Sequence, residues 1–170
     1  ILDKGTDRSL IKNKKKFYSW KGIGSEYRAT ELSSALLFGQ LTNYNYIQEA
    51  RERIWNIYFK KFFKIKSKNF YLLNNSNKFK KSSHHVFALI FKSLNARDRF
   101  ILYLKKKGIE AFFHYYPLHM SFFGKKIKKI KLPVTEKIYN GLVRLPLYPS
   151  LKVGEIKKII KISEKFIRSI

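Results

Sequence analysis

Ile47, Ala50, Ile54, Tyr58 and Phe62 recur at helical spacing, and this one stripe constrains the fold more than any other feature of the chain. A helix with so broad an apolar face, widened by Trp55 and Phe59, is stable in water only against a second layer of structure. Glu49 and Arg53 add a pair at i, i+4 in the favourable order. Just upstream, Thr30 is placed to cap a helix running to about Leu41, with Leu32, Ala35 and Leu36 at helical spacing, and Thr42 or Asn43 is placed to cap the next one. The covering layer is sought downstream. "HHVFALIFKSL" reads as a strand, Asn95 as the cap of the helix "ARDRFILYLKKK" with Gly108 as its C′ residue, and "GIEAFFHYY" as a second strand. Strand, helix and strand over residues 83–116 predict a sheet covered by helices, an α/β arrangement. Beyond it, "SFFGKKIKKIKLP" reads as a basic loop, "TEKIYNGLVRL" as a short helix and "PLYPSL" as a proline-braced connection. "VGEIKKIIKISEKFIRSI" reads as an amphipathic helix with Val153, Ile156, Ile160 and Ile167 on one side. Residues 1–27, with Gly5, Gly22 and Gly24, and the stretch "NNSNK" read as loops.

The 170 residues suffice for one domain with a real core, and a hydrophobic fraction of 45% excludes a disordered chain. No stretch approaches the ~18 uncharged apolar residues of a membrane span, and "ILDKGTDRSL" lacks the plan of a signal peptide, so a soluble, cytoplasmic protein is expected, with no membrane partner. Cysteine is absent, which excludes disulfides and thiol chemistry. The first residue is Ile rather than Met, as expected for a piece of something longer. Thirty-seven Lys+Arg stand against 11 Asp+Glu, a net charge of +26 whose natural reading is a nucleic-acid partner. Against that reading, the excess is lysine in short scattered clusters, with few arginines to fork onto guanine or phosphate. Lysine also arrives with abundant Asn, Ile, Phe and Tyr, residues whose codons are rich in A and T, so a drift in base composition accounts for all of them together. The aromatic residues fall mostly on buried-face periods, not on the open surface a polyanion binder needs. A small basic polyanion-binding protein, and a decayed remnant without activity, are the alternative readings.

"AFFHYYPLHM" holds His114 and His119 around Pro117. A shared metal would want them three or four apart on a helix, or two or four apart on a strand; five fits neither, and Pro117 stops any regular element from joining them. His84 and His85, adjacent on an expected strand, point to opposite faces. No metal site is expected, and no Gly-rich phosphate loop or Ser-His-Asp grouping occurs. From the residues alone, His114 and His119 are either packed-loop side chains or ligand contacts.

Four stretches taken together, "KGTDRS", "YSWKGIGSEYRATELSSALLFGQL", "GIEAFFHYYPLH" and "RLPLYPSL", resemble the DegT/StrS-type sugar aminotransferases, in that family's order and over nearly the whole chain. The resemblance implies an α/β fold, the C-terminal part of a type I aminotransferase that uses pyridoxal phosphate, with residues 1–63 leaving the large cofactor domain and 64–170 forming the small C-terminal domain. It implies amino transfer to a dTDP-4-keto-6-deoxyhexose for surface polysaccharide, and a homodimer partner. It further implies that His114, Tyr115 and His119 contact the nucleotide sugar and that Arg28 contacts the cofactor phosphate. Family members commonly carry Asn at the position of Glu26, where a carboxylate would oppose a phosphate, so this chain departs from the pattern there. The Schiff-base lysine of the family falls upstream of Ile1, and lysine runs such as "KKK" read as solvated faces, so no catalytic residue, no cofactor and no activity are expected of this chain alone.

Overall fold

In a computed structural model, the structure describes residues 29–65, 67–72 and 82–170. The chain divides between Tyr44 and Asn45 into two compact units. The first contributes α1 (Glu31–Thr42), whose N-cap is Thr30 as expected: its Oγ1 accepts from the Ser33 N–H. No residue of α1 is buried; Leu32, Leu36, Leu37, Phe38 and Leu41 are all exposed. Asn43 follows as the C-cap of α1 and donates back to the Gly39 carbonyl.

The second unit holds a three-stranded antiparallel sheet in the order β1 (Phe70–Leu72), β2 (Phe87–Phe91), β3 (Leu142–Leu145). The stripe of α2 (Tyr44–Phe62) is buried at Ala50, Ile54, Tyr58 and Phe62, with Trp55 and Phe59 packed beside it. The rings of Tyr58 and Phe62 lie 5.0 and 5.7 Å from that of Phe87, so α2 is part of this core. This compact unit begins at Asn45, and a helix with that face separates from the sheet only by exposing it. Tyr58 also donates its hydroxyl to the Pro146 carbonyl at 2.9 Å, and burial, reinforced by Tyr148, pushes its phenol well above its ordinary pKa. Tyr58→Phe should cost about 1 kcal/mol in denaturant unfolding, the net value of a hydrogen bond whose acceptor loses its partner.

At the other end of β2, Phe91 lies 4.8 Å from Phe100 of α3 (Leu94–Lys105) and 6.3 Å from Phe166 of α6 (Val153–Arg168). The cap of α3 is Ser93, two residues ahead of the expected Asn95, its Oγ accepting from the Ala96 N–H. Gly108 ends that helix with φ 72°, and the Ile109 N–H returns to the Leu104 carbonyl, the bond that closes a left-handed cap. On α6, Ile156, Ile160 and Ile167 are buried as expected, while Val153 is exposed.

Four expectations are corrected. "GIEAFFHYY" is not a strand: it pairs with β3 through a single bridge between Phe112 and Arg144. The sheet's third strand is instead "LVRL", read from sequence as the end of a helix; α5 (Pro133–Gly141) stops at Gly141, and Leu142, Val143 and Leu145 are buried in the strand with Arg144 half-buried between them. The basic loop contains a short helix, α4 (Phe122–Ile127), capped by Ser121. His84 and His85 precede β2 rather than lying in it.

Candidate functional site

The bridge between Phe112 and Arg144 fixes where the aromatic stretch meets the sheet: the Arg144 N–H donates to the Phe112 carbonyl at 2.7 Å, and the Phe112 N–H returns to Arg144 at 3.3 Å. From there the chain crosses the end of α5. Phe113 and Tyr116 both meet the ring of Tyr139 edge-on, at 6.0 and 5.4 Å. Arg97 of α3, only 5% exposed, lies over Phe113 and Tyr139, donates to the Tyr139 carbonyl at 2.7 Å and pairs with Asp98. A buried guanidinium with rings on it and its N–H groups engaged holds α3, α5 and the 113–116 stretch together.

The three expected contact residues part company here. His114 is half-buried and its ring stands 4.5 Å from that of Tyr115, which is 82% exposed, so these two share one surface. The His114 pKa is lowered, first by burial and then by the charges of Arg144 and His85. His119 goes elsewhere. Pro117 starts a short 3-10 helix, Leu118–Met120, that turns the His119 side chain inward, to 8% exposure, where its Nε2 meets Glu136 Oε1 at 3.1 Å. The same carboxylate accepts the Leu132 N–H at 3.1 Å, so Glu136 caps α5 and braces the turn at once. Both bonds hold its pKa below the ordinary carboxylate range, that from His119 more strongly. A carboxylate with a depressed folded pKa stabilises above its unfolded pKa and loses that contribution as pH falls through the folded value. Glu136→Gln should therefore flatten the acid limb of the unfolding profile below about pH 4.5, measured as Tm against pH. Arg28 lies outside the described residues, as do Glu26 and Tyr27.

Beside the bridge opens a cavity of about 500 Å³, walled by β3, the stretch after Gly108 and the start of α6. Arg144, His85, Tyr148 and Lys158 line it, together with Glu110 and Glu155. Sequence reasoning passed over Arg144, Tyr148 and Lys158, although "VRL" before "PLYP" carries the apolar–polar–apolar signal of a strand that would have set Arg144 apart. Among the described residues no group of three or more His, Cys, Asp or Glu could hold a metal ion, and no helix is long and apolar enough to cross a membrane. Every described lysine is exposed, so none of them has the desolvated setting a Schiff-base lysine needs, and the described residues do not by themselves fit pyridoxal phosphate.

A UDP-4-amino-4,6-dideoxy-N-acetyl-beta-L-altrosamine transaminase of Campylobacter jejuni is 30% identical over 139 residues, 79% of this chain and 36% of that one. A dTDP-3-amino-3,6-dideoxy-alpha-D-galactopyranose transaminase of Aneurinibacillus thermoaerophilus is 24% identical over 160 residues, 94% of this chain and 42% of the other. In three dimensions the chain superposes on a Helicobacter pylori aminotransferase involved in the biosynthesis of pseudoaminic acid with a TM-score of 0.77 at 23% identity, covering 98% of this chain and 44% of that structure. The fold is thus part of the α/β sugar-aminotransferase fold, represented here by helices around a small antiparallel sheet. The chain spans about two fifths of the length of these relatives. The model of the DegT/DnrJ/EryC1/StrS aminotransferase family matches residues 4–163, and the chain belongs to that family.

Proposed function

We propose that this chain is the C-terminal portion of a cytoplasmic, homodimeric, pyridoxal-phosphate-dependent aminotransferase that transfers an amino group to a nucleotide-linked keto sugar, a dTDP-4-keto-6-deoxyhexose, for surface polysaccharide. The observation that carries the reading is the family match over residues 4–163 of a chain that spans only about two fifths of its relatives. In this reading His114 and Tyr115, which share one surface, contact the sugar nucleotide; an imidazole and a phenol can each bond a hydroxyl or a phosphate oxygen. His119 belongs to the same site, where its bond to Glu136 holds the turn that presents the other two. Arg28 contacts the cofactor phosphate. Pyridoxal phosphate, when bound, supplies the electron sink for amino transfer; the lysine and the acid that hold it come from sequence ahead of Ile1, and the 170 residues alone do not transaminate.

The test is reconstitution. The 170-residue chain is incubated with pyridoxal phosphate alone, and again together with a large domain taken from a family member, and cofactor absorbance is followed after gel filtration. Absorbance is expected only in the mixture. Stoichiometric cofactor retained by the 170 residues on their own would overturn the reading that the chain is incomplete. In an active mixture, amino transfer to a UDP-linked sugar in preference to a dTDP-linked one would overturn the choice of nucleotide.

A further inference from the structure

The run from Leu118 to Val134 sets lysines among apolar side chains that the fold leaves outside. Lys125, Lys126, Lys128, Lys129 and Lys131 are all exposed, and among the described residues none of them forms an ion pair. No Asp or Glu occurs between Glu110 and Glu136, and Glu136 is engaged by His119 and the Leu132 N–H. Beside the lysines, Leu118, Phe122 and Ile127 are 83, 77 and 72% exposed, and Ile130, Leu132 and Val134 are exposed too. Their backbone is tightly held. Ser121 donates its hydroxyl to the Leu118 carbonyl at 2.7 Å and accepts the Gly124 N–H at 2.9 Å, and Gly124 lies so close to Leu118 that a Cβ on it would overlap that carbonyl. The 3-10 turn and α4 are thus one piece that carries Leu118 and Phe122 together. The terminal helix gives the contrast: its lysines are exposed as well, but Ile156, Ile159, Ile160 and Ile167 are buried in the core, so its outer face is an ordinary solvated one.

We propose that residues 118–134 form a docking surface for an anionic lipid bilayer, with Leu118, Phe122 and Ile127 entering the boundary of the acyl chains and the lysines lying at the headgroups. Clusters of roughly four to eight basic residues are drawn to an anionic leaflet, and exposed apolar side chains supply the second signal that stable attachment needs. No helix among the described residues is long and apolar enough to cross a membrane, so the contact is with the surface. The expectation of no membrane partner rested on the missing span, and surface docking does not need one. A nucleic acid would engage the same lysines, but Leu118, Ile127 and Ile130 gain nothing against a phosphate backbone. Base stacking needs an open ring, and Lys126 Nζ lies over that of Phe122, 4.5 Å from its centre. Arginine, the side chain that forks onto phosphate, does not occur in the run. The proposal stands or falls independently of whether the chain completes an aminotransferase.

The experiment follows flotation of the 170-residue chain with vesicles of phosphatidylcholine alone and of equal parts phosphatidylcholine and phosphatidylglycerol. Binding is expected to the mixed vesicles alone, weakening as salt is raised. Lys125→Gln, Lys128→Gln and Lys129→Gln made together should weaken it at least about tenfold, whereas Lys157→Gln, Lys161→Gln and Lys165→Gln, the same loss of charge from α6, should change it less than about twofold. Phe122→Ser with Ile127→Ser, which leaves the charge untouched, should also weaken it at least about tenfold. Phe122→Trp should add an emission that shifts to the blue on the mixed vesicles and is quenched by brominated acyl chains, against the background of Trp20 and Trp55 in the parent chain. All the substituted side chains are exposed, and unchanged far-UV circular dichroism checks that the fold survives. Equal losses from the two lysine triples, or binding indifferent to Phe122→Ser with Ile127→Ser, would overturn the proposal and leave a general attraction of a +26 chain. So would a single-stranded oligonucleotide held more tightly than the mixed vesicles and weakened by the same two sets of substitutions, which would assign the surface to nucleic acid.

Discussion

Phe100→Ala should lower the unfolding free energy of the second unit by about 3–5 kcal/mol, the largest loss expected from any single truncation described for this chain. Phe100 is fully buried and touches two rings at once, Phe91 of the central strand at 4.8 Å and Phe166 of the last helix at 5.2 Å. Removing it leaves a cavity where three elements meet, and none can collapse into the space without leaving the other two. Since domains of this size are stable by only about 5–15 kcal/mol, the variant should sit close to unfolding at 37 °C. Urea unfolding followed by tyrosine and tryptophan fluorescence measures the loss. A change under about 1 kcal/mol would mean that this part of the core repacks easily.

Gly141→Ala should cost about 3 kcal/mol, although it adds only a methyl group. Gly141 is the last residue of α5, and a Cβ there would overlap the carbonyl of Phe91 and come within 2.9 Å of the Ile90 side chain. The obstruction is backbone in the central strand, which cannot withdraw without disturbing its pairing with β1. The variant should also displace α5 and with it Tyr139, the ring against which Phe113 and Tyr116 rest. Gly154→Ala provides the contrast. Its Cβ meets nothing within 4 Å, and alanine in place of glycine in a helix should raise stability by about 0.5–1 kcal/mol. Thermal unfolding of the pair, run side by side, distinguishes a close approach from a general effect of glycine.

The parts of the fold that were legible in the sequence are those whose burial follows a local period. The stripe of α2, the α6 face from Ile156 onward and the left-handed Gly108 are set by neighbours within a few turns, and the structure has them where spacing put them, with Val153 the exception. The strands were harder to read, for a physical reason. β3 is four residues long and follows α5 without a turn, so its two-residue period is cut off before it can be distinguished from the end of a helix. The stretch from Gly108 to Tyr116 has the composition of a strand, but among the described residues Arg144 is its one β-bridge partner, and composition does not reveal whether an edge is available. The site divides the same way. His114 and Tyr115 are neighbours in sequence and remain neighbours on the surface, whereas Arg144, His85 and Lys158 come together only through packing. His119 lies five residues from His114, yet the turn begun by Pro117 sends its ring to Glu136.

The bond from Tyr58 to the Pro146 carbonyl joins positions 88 residues apart, and Phe91 finds its partners on both α3 and α6. Contacts of such long separation govern the order of events as the chain leaves the ribosome. The α2 face emerges ahead of its partners, first Phe87 of β2 and only later the Pro146 carbonyl beyond β3. Over that interval Ile54, Tyr58 and Phe62 are presented to the solvent as an open apolar face, and the nascent chain is a candidate client for chaperones that hold such faces apart.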